Sequence, residues 1–273
     1  MNTATCMICP HLCRLGEGQI GFCRARKNTG GIIVSSNYGL ITSLALDPIE
    51  KKPLNRFHPG SKILSVGSFG CNLRCPFCQN HEISMAFEKD SICRNLSPEA
   101  LVLRAEETKI QGNIGIAFTY NEPLIGYEYV TDTAKLARIQ GLETVVVTNG
   151  YINKEPLEKL LPYISALNID LKSFSPDFYK RISGDIETVK QSIQIASAVC
   201  HVEITTLIIP GENDSIDEMR QLSEWLAGIN PHIPLHITRF YPRYKMLENR
   251  SPDEKLIEQL ADIASESLTY VFA

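Results

Sequence analysis

Three cysteines in the segment CNLRCPFC have the type and the spacing to bind a metal centre. Cys71, Cys75 and Cys78 are separated by three and then two residues, so their thiolates can hold three irons of one [4Fe-4S] cluster. No fourth cysteine follows in this segment, which leaves the fourth iron open to another ligand. A three-thiolate zinc site is the alternative, although such sites are typically closed by a fourth ligand nearby. The spacing therefore favours an iron–sulfur cluster with one reactive iron.

A second group of cysteines lies at the beginning of the chain. Its members, which could supply a complete four-thiolate site, are Cys6, Cys9, Cys13 and Cys23. A closed zinc site would stabilise a segment with few apolar residues of its own. The same thiolates could instead hold an auxiliary [4Fe-4S] cluster that relays electrons, and the pattern favours zinc only slightly. His11 could replace one of these cysteines as a ligand, although a turn residue is the favoured role. Cys93 and Cys200 are expected to be packing or surface thiols.

The composition is that of a globular protein. A chain of 273 residues, 44% of them hydrophobic, can fill a large core. Its net charge is −4, and its lysines and arginines are scattered, so no nucleic-acid surface is predicted. No apolar stretch has the length of a membrane span and no signal peptide is evident, which predicts a cytoplasmic protein without membrane contact. Cytoplasmic thiols normally stay reduced, so clustered cysteines favour metal over disulfides.

Short β-branched segments alternate with amphipathic segments from residue 62 onward. The predicted strands contain ILSVG, GIAFTY, TVVVTN, ALNIDLK, HVEITTLII and PLHITRF. The predicted helices cover about 98–110 and 124–140, a stretch near Lys154, and about 176–199, 215–229 and 252–268. This alternation predicts an α/β fold, a partial (β/α)6 TIM-like barrel, with a doubly wound open sheet as the second choice.

The residues before this pattern are predicted to form an extension. Residues 1–30 contain the four-cysteine group, and residues 31–62 read as a hairpin and a proline-rich loop. Neither part is expected to fold alone. The predicted domains are therefore 1–61, a cysteine-rich metal-binding head with its hairpin and loop, and 62–273, the barrel.

Polar residues at strand ends are the candidates for ligand binding, because the loops after parallel strands converge on one mouth. In ALNIDLK, strand alternation places Asn168, Asp170 and Lys172 on one face. Inside a barrel these groups would need a polar ligand, whereas on a surface strand they would face solvent. Glu122 follows GIAFTY and could accept hydrogen bonds from an ammonium group. Alternatively, Asn121 caps the next helix there.

The motif CNLRCPFC resembles the CxxxCxxC cluster motif of radical S-adenosylmethionine (SAM) enzymes. From about residue 47 to 240 the chain resembles the pyruvate formate-lyase activating enzyme branch, through DPIEKKPL, CNLRCPFCQN, TYNEP, VTNG, NIDLKSF and IPG. Its head is most similar to the radical-SAM member of the AmmeMemoRadiSam group. The resemblance implies reductive cleavage of SAM at an open [4Fe-4S] cluster, and hydrogen abstraction from a protein by the 5′-deoxyadenosyl radical, as in activation of a glycyl-radical enzyme. Radical modification of a small molecule or of another protein residue is the alternative. A non-catalytic iron–sulfur or zinc protein is a third reading, which the open iron disfavours.

The resemblance also implies roles for single residues. Cys71, Cys75 and Cys78 would hold the cluster, and SAM would bind the open iron through its amino nitrogen and carboxylate. The residues that would contact SAM are Phe77, Tyr120, Asn121, Glu122, Asp170 and Lys172. The backbone near Phe77 would meet the adenine, residues 120–122 the amino group, and the Asp-Leu-Lys segment the ribose and carboxylate. Relatives often have Gly-Gly-Glu at 120–122, so this segment departs from their pattern. The implied electron donor is a flavodoxin- or ferredoxin-type reductant.

Two expectations concern the last part of the chain. His232 and His236 could face the barrel mouth, although a histidine near a strand is more often structural. The similar proteins usually continue past LTYVFA into another strand and a tail with further cysteines. The chain ends at Ala273, which is expected to leave the barrel edge open or to reflect a truncation.

Overall fold

Strands and helices alternate through most of residues 2–273, the part of the chain that the computed structural model describes. The strands are β1 (Ala4–Thr5), β2 (Arg14–Leu15), β3 (Arg26–Thr29), β4 (Ile32–Ser35), β5 (Leu40–Ile41), β6 (Ser43–Pro48), β7 (Lys62–Gly67), β8 (Arg94–Asn95), β9 (Asn113–Phe118), β10 (Glu143–Thr148), β11 (Ala166–Asp170), β12 (His201–Ile208), β13 (Leu235–Arg239) and β14 (Val271–Phe272). The α-helices are α1 (His81–Ser84), α2 (Pro98–Glu107), α3 (Tyr127–Ile139), α4 (Lys154–Leu160), α5 (Pro176–Arg181), α6 (Ile186–Ser197), α7 (Ile216–Ile229) and α8 (Glu254–Ser265).

Eight of the strands form one sheet in the order β14-β13-β12-β11-β10-β9-β7-β6. All neighbours from β7 to β14 are parallel, and β6 pairs antiparallel with β7 at one edge. The α/β fold with a parallel sheet is therefore confirmed, and all six predicted strands are present. The short strand β14 adds a further parallel strand beside β13 at the other edge. Because β6 and β14 are both edges of this sheet, the barrel is open on one side.

The helix starts follow signals that the sequence carries locally. Ser97, Ser175 and Ser215 precede α2, α5 and α7, and each hydroxyl oxygen accepts a backbone N–H from the first turn of its helix. Proline follows the first two of these serines, at the position where its missing N–H costs nothing. The predicted helices therefore exist with boundaries shifted by only a few residues.

The boundary predicted at residue 61 falls inside the barrel rather than between two bodies. Residues 43–48 are β6, which pairs along its whole length with β7. Residues 49–61 lie across the amino-terminal end of the sheet, where Ile49 and Leu54 are fully buried against Ile63 and other strand residues. The hairpin of the extension, β3 with β4, spans residues 26–35 and starts earlier than predicted. Residues 43–48 therefore belong to the barrel and not to the head, because their backbone hydrogen bonds are made to β7.

A buried carboxylate fastens the segment 49–61 to the sheet. Glu203 is fully buried, and its oxygens accept the backbone N–H groups of Asn55 and Arg56 at 3.0 and 2.8 Å. The same carboxylate contacts Nε2 of His201 at 2.9 Å and Nε2 of His236 at 2.6 Å. His236 therefore lies near the amino-terminal end of β13, and the expectation that it faces the mouth is wrong. His232 is exposed before that strand.

Replacing Glu203 with glutamine is expected to destabilise the fold by about 3 kcal/mol at pH 7. Burial alone would raise the pKa of this carboxyl group, but hydrogen bonds from His201, His236 and the Arg56 N–H lower it from 4.5 to about 2. A depressed folded-state pKa means that the stabilisation is present above pH 4.5 and is lost as the pH falls toward 2. Urea unfolding of both proteins should show the gap at pH 7 and its narrowing in acid. Equal stability at pH 7 would contradict this assignment.

The cysteine-rich head packs against the barrel through polar contacts. The Arg26 guanidinium, which is buried, forms a two-point ion pair with Glu128 of α3 at 2.7 and 2.8 Å. Asn153, just before α4, donates its side-chain amide to the carbonyl of Met7 and its backbone N–H to the carbonyl of Ile8. These contacts hold the head near the loops that follow the strands. No helix within residues 2–273 has the length and apolarity needed to cross a membrane.

Candidate active site

A cavity of about 330 Å³ lies where the parallel strands end. Its lining includes every residue predicted to hold the cluster or SAM: Cys71, Cys75, Phe77, Cys78, Tyr120, Asn121, Glu122, Asp170 and Lys172. These residues follow β7 and β9 or close β11, and the end of β10 contributes Thr148 and Asn149. Because parallel strands deliver their carboxyl ends to one edge, residues far apart in sequence meet there.

The three cysteines of the cluster motif line this cavity, Cys75 as a buried residue and Cys71 and Cys78 as partly buried ones. Burial raises the pKa of the Cys75 thiol to about 12, against the effect of the Lys172 ammonium. Burial also raises the pKa of Cys71 well above its usual range, and the Glu122 carboxylate adds to this rise. The amide of Asn149 and the backbone N–H of Leu73 approach Cys71 Sγ at 3.7 and 3.4 Å. A positive metal centre would favour the thiolate forms, so this environment fits a cluster.

The three thiols suit a cluster by their chemistry and their position, but they are not arranged as a preformed ligand set. Among residues 2–273, no three His, Cys, Asp or Glu side chains stand in a metal-ligating arrangement, neither at CNLRCPFC nor in the head. The thiolate ligands of iron–sulfur clusters are nevertheless cysteines of this kind and spacing. The three thiols therefore fit the cluster through their common cavity, their burial and their neighbours.

The side chain of Asn121 fastens the loop that leads into the cluster motif. Its Oδ1 accepts the backbone N–H of Ser68 at 2.9 Å, and its Nδ2 donates to the carbonyls of Phe69 and Gly70, both at 3.2 Å. The alternative that Asn121 caps the next helix is wrong. Glu122 caps the short 3-10 turn Pro123–Gly126 that leads into α3, since its carboxylate accepts the N–H of Leu124. Asn121 thus acts on the loop before Cys71 and lines the cavity at the same time.

Alanine at Gly70 is expected to destabilise the protein by about 2 kcal/mol more than alanine at Gly112. Both glycines have φ of +89°, so both substitutions carry the same left-handed backbone cost. A Cβ at Gly70 would lie 2.6 Å from the carbonyl oxygen of Cys23 and 2.9 Å from Ile125, whereas no described atom lies within 4 Å of one at Gly112. Urea unfolding and iron content measure the difference. Equal losses of stability in the two variants would show that the contact of Gly70 with Cys23 does not restrict this loop.

Tyr120 occupies a position where the similar proteins often have glycine, and its backbone explains why. Its φ is +73°, in the left-handed region that glycine adopts without strain. The hydroxyl donates to Asp47 Oδ2 at 2.8 Å, and Lys52 Nζ donates to the same oxygen at 2.8 Å. Although burial opposes it, these two donors lower the pKa of Asp47 to about 2. Sequence reasoning missed this arrangement, and the only signal for it was the similarity of DPIEKKPL.

Glu122 is a buried carboxylate whose two oxygens accept three hydrogen bonds from neighbouring residues. Oε1 accepts the N–H of Leu124 at 3.0 Å and the hydroxyl of Thr148 at 2.7 Å, and Oε2 accepts the N–H of Asn149 at 2.8 Å. Burial raises the pKa of this group to about 7, although the three hydrogen bonds lower it. Each carboxylate oxygen has about two acceptor positions, so Oε2 can take a further donor. A cation beside it would stabilise the ionised form.

The polar side chains predicted on one face of β11 have different surroundings: one bonds within the protein and two line the cavity. Asn168 is fully buried, donates to the carbonyl of Pro53 at 2.8 Å and accepts the hydroxyl of Thr205 at 3.0 Å. It therefore needs no ligand, contrary to the expectation for all three residues. Asp170 and Lys172 line the cavity as an ion pair with Nζ and Oδ2 2.9 Å apart. Burial lowers the pKa of Lys172, but the Asp170 carboxylate raises it by more.

Comparison with known proteins gives the family of this chain. The model of the radical SAM superfamily matches residues 65–225, more than half of the chain. An uncharacterized protein of Methanocaldococcus jannaschii is 40% identical over 277 residues, which covers 99% of this chain and 81% of the relative. The pyruvate formate-lyase-activating enzyme of Clostridium pasteurianum is 28% identical over 168 residues, 59% of this chain and 67% of that enzyme.

A solved structure of Streptococcus suis SuiB bound to S-adenosylmethionine has the same fold, with a TM-score of 0.59 and 15% identity. The similarity covers 77% of this chain and 51% of that one. The chain belongs to the radical SAM superfamily. It is a radical SAM enzyme related to activating enzymes, and the cofactors of this superfamily are a [4Fe-4S] cluster and SAM.

Proposed function

We propose that the cavity at the strand ends binds SAM for reductive cleavage and presents the resulting radical to a protein substrate. The observation that carries this proposal is the meeting of three thiols, a buried carboxylate and an Asp–Lys pair in one cavity. When bound there, the cluster and SAM supply an electron and a 5′-deoxyadenosyl radical that abstracts hydrogen. Cys71, Cys75 and Cys78 hold the cluster in this proposal.

The chain's own polar groups then orient SAM. Glu122 Oε2, which has one donor from Asn149, accepts the ammonium group of the methionine moiety. Lys172 gives one N–H to Asp170 and keeps two for the carboxylate of SAM. Asp170 Oδ1 is the acceptor for a ribose hydroxyl. Tyr120 and Asn121 act on the backbone of this site, since their side chains bond Asp47 and the loop before the cluster motif.

The adenine contact is assigned to the backbone beside Phe77. The Phe77 ring is buried and packs 6.0 Å from the ring of Phe178, measured between centroids. The backbone of Cys78 donates its N–H to the carbonyl of Cys75, which makes a tight turn around this ring. A fixed turn lowers the cost of ordering the backbone groups that the adenine edge would meet.

A protein is the proposed substrate, and glycyl-radical activation the proposed reaction. Support comes from the relatives named as activating enzymes, among them the pyruvate formate-lyase-activating enzyme already described. Within residues 2–273, β6 and β14 are the edge strands of the sheet, and the proposed path of a peptide segment to the cavity lies between them. A flavodoxin- or ferredoxin-type protein is the proposed reductant.

Two measurements on the anaerobically reconstituted protein test this function. With dithionite and SAM it should form 5′-deoxyadenosine and methionine, and formation of neither would overturn the proposal. The substrate class follows from a deuterated cell extract separated by ultrafiltration. Deuterium should enter 5′-deoxyadenosine from the retained proteins. Deuterium transfer only from the filtrate would overturn a protein substrate and support the small-molecule alternative.

A further inference from the structure

We propose that the four head cysteines bind a second metal centre, a zinc ion or an iron–sulfur cluster, which holds the loop of the SAM-binding cluster in place. The ligands would be Cys6, Cys9, Cys13 and Cys23. The proposal concerns a site separate from the cavity and does not depend on the proposed substrate. It rests on where the thiols lie and on what the head touches.

The four cysteines lie within one small folded segment with little regular structure, although no three of them stand in a preformed ligand arrangement. Cys6, Cys9 and Cys23 are buried at 6–7% exposure. The backbone N–H of Cys6 donates to the carbonyl of Cys13 at 2.9 Å, and the N–H of Phe22 donates to Cys13 Sγ at 3.4 Å. The rings of His11 and Phe22 lie 4.2 Å apart, measured between centroids, so the segment of Cys9 and Cys13 packs against the residue before Cys23. Buried thiols within one segment suit soft metal centres.

The charge around the head thiols fits a four-thiolate centre, which is anionic. The guanidinium of Arg26 is 4% exposed and close enough to Cys6 and Cys23 to interact with their charges. One carboxylate, Glu128, already pairs with this arginine from the side of α3. If the thiols were neutral, Glu128 would be the one negative charge paired with the buried Arg26 guanidinium. Metal-bound thiolates would add negative charge near that guanidinium.

The head needs a source of cohesion other than apolar packing. Between residues 2 and 25 its regular structure consists of β1 and β2, which are two residues each. Its buried hydrophobic residues in that range, beyond the three buried cysteines, are Leu15 and Ala25. A structural metal centre supplies folding free energy to small segments that cannot build a core. The four thiolates are therefore the natural stabilising element of this segment.

The head bonds directly to the loop that carries the cluster ligands. The N–H of Cys71 donates to the carbonyl oxygen of Cys23 at 3.2 Å, so one ligand of each proposed centre shares a hydrogen bond. His11 Nε2 contacts the carbonyl oxygen of Asn72 at 2.8 Å, which makes it a contact to the cluster loop rather than a simple turn residue. The guanidinium of Arg74 donates to the carbonyl of Phe22.

These contacts involve most of the chain between the first two cluster cysteines. The side-chain amide of Asn72 donates to the carbonyl of Tyr151 at 2.7 Å, and the Arg74 guanidinium lies 3.8 Å from the centre of the Phe22 ring. A shift of the head would therefore move the backbone of Cys71 and the residues that follow it. The second centre acts as a positioning element for the first.

Metal analysis of a chain without the cluster motif tests the site itself. The triple variant Cys71→Ser, Cys75→Ser, Cys78→Ser, purified anaerobically, should retain about one zinc or about four irons per chain. Zinc content and the absorption of an iron–sulfur cluster distinguish the two. Neither metal in the folded variant, after separate reconstitution with zinc and with iron and sulfide, would overturn the proposal.

Further variants connect the metal to the head thiols. Adding Cys9→Ser and Cys23→Ser should remove the retained metal, whereas Cys93→Ser or Cys200→Ser should leave it, and circular dichroism reports folding. Retention after loss of the head thiols would overturn the assignment. In a chain with an intact cluster motif, Cys9→Ser should change the electron paramagnetic resonance spectrum of the reduced cluster. An unchanged spectrum would overturn the positioning role, and none of these results depends on SAM cleavage.

Discussion

Replacing Cys75 with serine is expected to reduce 5′-deoxyadenosine formation to that of an enzyme-free control. Cys75 is buried at 7% exposure, lines the cavity and stands between the other two cluster cysteines. A hydroxyl is a poor substitute for a thiolate as an iron ligand, and two thiolates leave a second iron unprotected. Without a stable cluster no electron reaches SAM. The measurement is chromatographic quantification of 5′-deoxyadenosine with dithionite as reductant.

Cys200 provides the matched control for this variant. It is partly buried before β12, its thiol donates to the carbonyl of Ala196, and it lies at the opposite end of the sheet from the cavity. Cys200→Ser should keep the iron content and activity of the unmodified protein. Wild-type 5′-deoxyadenosine formation by Cys75→Ser, with full iron content, would refute the assignment of the cluster ligands.

The second large effect is expected at Glu122, where glutamine should weaken SAM binding about 10- to 100-fold. A hydrogen bond to a charged group contributes about 1.5–3 kcal/mol, and every 1.4 kcal/mol corresponds to a factor of ten. Glutamine keeps one oxygen acceptor for Leu124 and Thr148, but its amide places a donor against the N–H of Asn149. The charge that would attract an ammonium group is lost as well. Equilibrium dialysis of SAM against the reconstituted protein measures the effect.

Glu218 supplies a control with similar local bonding. Its carboxylate accepts the hydroxyl of Ser173 and the backbone N–H of Phe174, each at 2.6 Å, and it does not line the cavity. Glu218→Gln should affect stability while leaving the affinity for SAM unchanged. Equal losses of SAM affinity in the two variants would show that Glu122→Gln acts by a general loss of loop structure and not by removing a contact to SAM.

Local sequence patterns were sufficient for the strands, the helices and the cluster motif. The six central strands carry continuous β-branched segments, and serine or aspartate caps mark several helices. The proposed cluster ligands follow from the spacing of three cysteines within eight residues, which no long-range contact alters. Such features can be predicted because their causes lie within a few residues.

Pairwise polar contacts between distant segments were not predictable in the same way. Asn168 belongs to the same alternating face as Asp170, yet Pro53 and Thr205 satisfy its amide. The sequence allowed His236 either a place at the mouth or a structural role, and its contact with Glu203 at the amino-terminal end shows the structural one. Alternation states which side chains share a face of a strand. It does not state what packs against that face.

The sequence by itself determined the chemistry of this protein: three cysteines with the spacing of an open cluster, a carboxylate after one strand and an Asp-Leu-Lys segment after another. Only the tertiary structure decided that Glu122 is buried with an acceptor position to spare, and that Tyr120 bonds Asp47. It also decided that the head shares a hydrogen bond with Cys71. The reason is physical, because ligand type depends on residue identity and spacing, whereas burial and contact depend on how the whole chain closes around the site.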